Sequence, residues 1–371
     1  MVSADTRVRD RPIHRVFPRL DVPWVRLGDW PTPVEAFGEG FLKRDDLSSP
    51  VYGGNKVRTL EVLFGEALAE GATHVYATGA FGTNHGAATL LHAPRVGLRP
   101  GLVLFPQPTS SAARANFEVL LGAEVGRRPE VMVLPHWSAL PWGMARVRAR
   151  HRRHGGRPFV MVPGGATPRG ALGYVSAGFE VAEQIEAGVL PAPERIVLPV
   201  GSTCTTAGLL LGTQLCAALG FGWRRPPVIQ AVRVTPWPVT APGRIVSLAQ
   251  AAGRELARQA RAPEAALSRA RLGSTLEVDG RWLSWGYGRE TAAGKRAVDE
   301  FRAKAGFELD TTYSAKGAAA FLEAIRRPGG GPTLFWSTKS TAPLPEPARA
   351  ALSAVNGRAT RWLARADRSL P

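Results

Sequence analysis

Apolar side chains at Leu60, Leu63, Phe64 and Ala67 recur at helical spacing, so Val57 to Glu70 is read as an amphipathic helix. Thr73 to Thr78 follows as a short apolar run, a buried strand, and Gly79 to His85 as a loop. The same order repeats: helix over Asn84–His92, strand over Gly101–Phe105, helix over Ser110–Leu121, and the start of a strand over Ala123–Gly126. Strand, loop and helix in that succession predict right-handed βαβ units and a mostly parallel sheet.

Between about Glu130 and Gly156 the pattern loosens into a helix with a basic exposed face, Met144 to His154. A second α/β stretch then opens with a strand over Pro158–Val162 and a long helix from about Ser176 to Ala187. The strand Arg195–Val200 runs straight into Gly201-Ser202-Thr203-Cys204-Thr205 and another helix. A further strand covers Val228–Val234, residues 236–275 are proline-rich and then helical and basic, and α/β text continues to about Trp336. Residues 1–50 are rich in proline and arginine and end in a short strand and a polar turn at Phe41 to Leu47. No internal repeat or low-complexity segment interrupts the pattern.

Composition narrows the class. With 371 residues and 44% hydrophobic positions, the chain can bury a large core, which excludes a disordered protein. No apolar run is long enough for a membrane span, and the charged N-terminus does not read as a signal peptide. Cys204 and Cys216 are too few for a disulfide framework or a metal finger, so no metal is expected. These features predict a cytoplasmic protein. The net charge of +17 admits a nucleic-acid binder, but the arginines of 146–157 have no interleaved aromatics and match no nucleic-acid motif, so no nucleic-acid partner is expected. Six of the 47 basic residues are lysine, which makes each lysine conspicuous.

One of them, Lys56, follows Gly53-Gly54-Asn55 at the entrance to a helix. Glycines admit close backbone approach there, and a desolvated lysine becomes a usable base and nucleophile, although a surface lysine in a turn has the same local look. The loop Gly201 to Thr205, small and hydroxyl-bearing between a strand and a helix, offers successive N–H groups suited to one phosphate. It lacks the Walker ending and the dinucleotide spacing. A nucleophilic lysine and a cup for one phosphate point to pyridoxal 5′-phosphate.

Seven motifs in order now carry a resemblance: Lys-Arg-Asp-Asp-Leu at 43–47, Gly-Gly-Asn-Lys-Val-Arg at 53–58, Thr-Asn-His at 83–85, Gly-Gly-Ala-Thr-Pro-Arg-Gly-Ala-Leu-Gly-Tyr at 164–174, Gly-Ser-Thr-Cys-Thr-Thr-Ala-Gly at 201–208, Gly-Tyr-Gly at 286–288 and Leu-Asp-Thr-Thr-Tyr-Ser-Ala-Lys-Gly at 309–317. Together they resemble the D-cysteine desulfhydrase and 1-aminocyclopropane-1-carboxylate deaminase family of fold type II pyridoxal enzymes. The resemblance implies a two-domain, three-layer α/β/α protein like the tryptophan synthase β subunit. Its larger domain would comprise residues 1–58 and 161–371, with a smaller α/β domain at 59–160 inserted. It also implies a homodimer and a small amino-acid substrate.

By position, Lys56 would be the Schiff-base lysine and the proton shuttle at the substrate Cα. Asn84 would hydrogen-bond the cofactor 3′-oxygen, and Thr83 would stand near the substrate carboxylate. Gly201, Ser202, Thr203, Cys204 and Thr205 would hold the phosphate, and Tyr287 and Tyr313 would flank the substrate as acid, base or ring-opening partners. Ser314 would face the pyridine nitrogen, where the resemblance gives deaminases a glutamate and desulfhydrases a threonine or serine. A hydroxyl there favours β-elimination of a good leaving group, releasing keto acid and ammonia, over cyclopropane opening, which needs a protonated ring; deaminase and β-replacement chemistry are the alternatives. Departures from the family pattern are Gly82, Ala87 and Ala88 in place of three long polar residues, Thr59 in place of a phosphate-binding lysine for which Arg58 or the backbone would compensate, Thr203 and Cys204 where two glycines are common, and Thr338-Lys339-Ser340 in place of a glycine pair. They predict a reshaped pocket. His85 is expected to be a structural hydrogen-bonding group and Cys204 a small loop residue with no base beside it in sequence.

Overall fold

The strands of the protein, in a computed structural model describing residues 8–122, 129–283, 290–307, 309–311, 313–346 and 357–369, fall into two sheets. The first contains β1 (Val34–Phe37), β2 (Gly40–Lys43), β7 (Arg195–Val200), β8 (Val228–Arg233), β9 (Leu276–Asp279) and β10 (Thr333–Trp336), in the order β1-β2-β10-β7-β8-β9. The second is wholly parallel, with β3 (His74–Ala80), β4 (Arg99–Phe105), β5 (Glu130–Val133) and β6 (Pro158–Val160) in the order β5-β4-β3-β6. In the first sheet the β1–β2 hairpin is antiparallel and the remaining neighbours are parallel. Burial explains the patterns. β7 is buried from Ile196 to Val200, as expected of a strand covered by helices on both faces. The helices bear out the α/β reading.

Several elements coincide with the apolar periodicity. The helix Asn84–His92 and the strand Arg195–Val200 have the expected bounds, and the helix after Gly54 spans Asn55–Ala69. The expected strand start at Ala123–Gly126 lies outside the described residues, and the strand that follows is β5. One boundary differs substantially. The helix expected from Ser176 begins at Pro168, where the Thr167 hydroxyl accepts from the Gly170 N–H. Its first two turns contain Gly170 and Gly173, which read as loop residues. They are there for contact: a Cβ on Gly173 would stand 2.2 Å from the Arg58 carbonyl oxygen, and one on Gly208 of the helix Cys204–Ala218 would stand 2.4 Å from that of Ala171. Tertiary packing overrides glycine's poor helix propensity at these positions.

Helix Asn55–Ala69 is fixed by buried charge. Arg58 donates to Asp45 at 2.7 Å and to Glu180 at 2.9 Å, and Lys43 donates to Glu180 at 2.6 Å, all with side chains nearly excluded from solvent. Tyr174 and Trp336 each donate to Asp45 Oδ2. The Lys-Arg-Asp-Asp stretch at 43–46 is therefore an anchorage for the helix that carries Lys56. Paired and hydrogen-bonded, such charges can persist away from water.

Candidate active site

Among the described residues, the loop after β3 carries Thr83 and leads into Asn84, and the loop after β7 carries Gly201 to Thr203, each beyond the C-terminal end of its strand. Lys56 lies in the first turn of helix Asn55–Ala69. The glycines before it are required by contact: a Cβ on Gly53 would meet the Asp46 carbonyl oxygen at 2.1 Å, and Gly54, at φ +89°, passes the Thr338 carbonyl oxygen, which would stand 2.6 Å from a Cβ. The Asn55 N–H donates to that same Thr338 oxygen at 2.9 Å, and Gly54 and Lys339 form an isolated bridge. The entrance to the helix is thus pinned between residues far apart in the chain.

Lys56 makes no hydrogen bond or ion pair with another described residue. Burial lowers its pKa from the ordinary lysine value, and the weaker influence of Cys204 acts the other way. His85, 1% exposed, has both ring nitrogens without a partner among the described residues, and burial together with the Lys56 charge holds its pKa down at about 3. Cys204 donates to the Gly165 carbonyl oxygen, and burial pushes its thiol upward despite Lys56. The fold therefore supplies the basic neighbour that Cys204 lacks in sequence, and the thiol stays protonated all the same.

After β7 the loop Gly201–Thr203 leads into helix Cys204–Ala218, with Thr203 in the left-handed region at φ +72°. The Asn55 side-chain amide donates to the Thr205 hydroxyl at 2.9 Å, joining this loop to the residue before Lys56. Gly201 lies within contact of two of its neighbours: a Cβ there would be 3.5 Å from the Thr235 hydroxyl and 3.8 Å from the Tyr313 ring. Next to Tyr313, Ser314 begins the helix Ser314–Ile325, and its buried hydroxyl has no partner among the described residues. Tyr287 lies outside the described residues.

On the facing side, Thr83 caps helix Asn84–His92 by accepting from the Gly86 N–H. The Asn84 carbonyl oxygen accepts from the Tyr52 hydroxyl at 3.1 Å and from the Asn116 amide at 2.6 Å. Lys339 donates to Tyr52 at 3.0 Å and to Asn116 at 3.3 Å. Burial alone lowers the Lys339 pKa, but Tyr52 and the charge of Asp310 outweigh it and the net shift is upward. Tyr52 and Asn116 belong to none of the motifs. The signal that could have found this cluster was the rarity of lysine.

Of the two expected substitutes for a phosphate-binding lysine, Arg58 and the backbone, Arg58 is turned to other partners. Two residues beyond Lys56 it points about 200° around the helix, where Asp45 and Glu180 take its donors. Among the described residues one group of metal-ligating types, His74, Glu130 and His151, also comes together. It belongs to the second sheet at the opposite end of β3, and Arg150 and Tyr76 engage Glu130 there.

The donor set fits pyridoxal phosphate on its own terms. A lysine unpaired among the described residues, an N–H loop at a helix N-terminus, a buried hydroxyl without a described partner and an asparagine with its NH2 free of described partners are the groups such a cofactor requires. The chain matches the family of pyridoxal-phosphate dependent enzymes over residues 25–338, and it belongs to that family. It is 34% identical over 308 residues to the nocardicin C-9′ epimerase of Nocardia uniformis subsp. tsuyamanensis, covering 81% of this chain and 86% of that protein. It is 30% identical over 346 residues to a D-cysteine desulfhydrase of Salmonella paratyphi A, covering 88% and 96%. Among solved structures, one described as an ACC deaminase homologue superposes with a TM-score of 0.69 at 27% identity, covering 89% of this chain and 95% of that one. The kinship expected from the seven motifs and the fold type II architecture are borne out, and with them the pyridoxal-phosphate dependence.

Proposed function

We propose that this enzyme is a lyase or deaminase that removes the Cα proton of a small amino acid and expels a β-substituent, as the name D-cysteine desulfhydrase implies for one relative. The observation that carries the reading is the unpaired, desolvated Lys56 beside a phosphate-sized N–H loop. Bound pyridoxal phosphate supplies the electron sink that makes the Cα–H acidic. Lys56 Nζ, its pKa lowered by burial, takes that proton. The N–H groups of residues 201–205 and the Thr205 hydroxyl hold the phosphate. Asn84 offers its NH2 to the 3′-oxygen, while Tyr52 and Asn116 occupy its carbonyl side. The buried Ser314 hydroxyl would face the pyridine nitrogen as a neutral hydrogen-bonding group, which would suit departure of a good leaving group with its bonding pair. Thr83 sits at the helix N-terminus where a substrate carboxylate is favoured. Tyr313, at the edge of the same loop, flanks the substrate.

Residues 59–160, which hold the second sheet, form the inserted smaller domain in this reading, and the enzyme is a cytoplasmic homodimer. Among the described residues no helix is long and apolar enough to cross a membrane.

A second reading has its own support. The epimerase relative matches most of the chain, and epimerisation begins with the same proton removal but returns a proton to the other face of Cα. One experiment separates the two: D- and L-amino acids are incubated with the enzyme in deuterated water. Keto acid and ammonia mark elimination, whereas Cα deuterium with inversion and no keto acid marks epimerisation. Absence of both for every amino acid sinks the catalytic reading.

A further inference from the structure

Lys339 lies where the family resemblance expects glycine, on a segment whose backbone pairs with Gly54. Its side chain reaches across the cleft from the segment after β10 to Tyr52, in the loop before helix Asn55–Ala69, and to Asn116, on helix Ser111–Gly122 beside the second sheet. Both acceptors pass the interaction on to a single atom. The Tyr52 hydroxyl and the Asn116 amide each donate to the Asn84 carbonyl oxygen. Asn116 is anchored in turn by a second donor bond, 3.0 Å, to the Gly82 carbonyl oxygen in the loop that carries Thr83. Tyr52 is 1% exposed and Asn116 2%. With its oxygen held by two donors, the Asn84 amide cannot exchange its ends, so its NH2 is committed to the other side. A hydrogen-bonded chain in a poorly solvated site also polarises along its length, and a cation at its far end strengthens each link.

We propose that Lys339 is a positioning residue: through Tyr52 and Asn116 it fixes the Asn84 amide toward the 3′-oxygen of pyridoxal phosphate and keeps a positive charge behind that oxygen. The proposal rests on the reading of Asn84 as the residue that meets that oxygen. Charged groups around Lys339 are few among the described residues. Asp310, on the segment before helix Ser314–Ile325, acts on it and is occupied by the Tyr313 and Ser314 N–H groups, and Tyr52 and Asn116 complete its surroundings.

The test is the pH dependence of the visible absorbance of the bound cofactor in the whole enzyme. Loss of a proton from the cofactor leaves negative charge that the Lys339 ammonium stabilises. In Lys339→Met the midpoint of the absorbance change therefore moves to higher pH, by about one unit for a charge acting across two hydrogen bonds at an effective dielectric constant near 20. Lys339→Arg, which keeps the charge, stays nearer the parent. Lys339→Gln, which can still donate to Tyr52 but carries no charge, shifts like the Met variant and serves if that variant fails to fold. A cofactor-loaded, charge-free variant with the parent's midpoint overturns the proposal. So does a pair in which neither protein titrates over the range where the fold survives. Asn84→Ala is the control: if its spectrum and titration match the parent, the reading of Asn84 fails, which is a separate outcome.

Discussion

The Asn55 side-chain amide and the Thr205 hydroxyl meet at 2.9 Å, 150 positions apart in sequence. That bond sets the first turn of the Lys56 helix against the first turn of the helix that follows β7. Two helix N-termini, each with unsatisfied N–H groups, thereby converge on one cleft, an arrangement that favours a bound anion such as the cofactor phosphate.

Borohydride reduction of the cofactor-loaded enzyme followed by peptide mapping places the pyridoxyl group on Lys56. Lys56→Ala lowers turnover at least about a hundredfold, the lower end for loss of a general base. A pyridoxyl label on Lys339 instead refutes the assignment.

Thr203 adopts a left-handed conformation that costs a side-chain-bearing residue about 1–2 kcal/mol. Glycine relieves that strain but adds freedom to the unfolded chain, about 0.4–1 kcal/mol in the other direction. Thr203→Gly therefore raises the urea midpoint modestly, by about 0.5–1 kcal/mol of stability. A lowered midpoint would mean that the Thr203 side chain contributes packing that outweighs its backbone.

Glu180 is buried between Arg58 and Lys43, and those cations hold its carboxyl far below the ordinary range, although desolvation opposes them. A carboxylate depressed in the folded state stabilises above its unfolded pKa and loses that contribution as pH falls. Glu180→Gln leaves two buried cations short of a partner and costs about 3–5 kcal/mol. Urea unfolding at neutral pH measures this loss, and the variant's stability also falls less steeply in acid than the parent's.

His14, His85 and His92 are buried and held neutral, with pKa values of about 4, 3 and 4, desolvation being the first cause in each. Unfolding returns each to about 6.5, so the unfolded chain binds more protons and stability falls as pH drops from there toward 4. Each contributes a slope of up to about 1.4 kcal/mol per pH unit. A urea midpoint that does not change between pH 7 and pH 5 contradicts this.

The terminal helix Gly357–Ser369 docks Trp362 edge-on against Phe81 and Phe117, with its indole N–H donating to the Gln107 carbonyl oxygen. The Gln107 side chain accepts from the Gly82 N–H, one residue before Thr83. Trp362→Ala frees the helix locally, and trypsin cleaves at Arg358 and Arg361 at least about tenfold faster, the mark of local rather than global opening. Unchanged cleavage would show that the helix is held elsewhere.

Much of this was legible because periodicity and chemistry coincide in the sequence. Asn84–His92 and Arg195–Val200 were bounded by burial alone, and Lys56 by its glycines and by the scarcity of lysine. The start of helix Pro168–Glu186 was hidden by glycines that serve interhelix contact, a tertiary cause with no local trace. The choice between Arg58 and backbone for the phosphate was not legible because a motif records neighbours in sequence, whereas the Arg58 partners Asp45 and Glu180 come from distant segments. Tyr52 and Asn116 were invisible for the same reason: each matters through what it touches.

The bridge between Gly54 and Lys339 sets a timetable for the growing chain. Lys56 leaves the ribosome well before the strand that pairs with β2 and the residues that close over Gly54, which follow it by more than 270 positions. Until those residues emerge, a nascent chain has its cofactor lysine without the segment that closes over the entrance to its helix. Truncation before Thr338 should therefore remove the setting of Lys56 as well as the C-terminal helix.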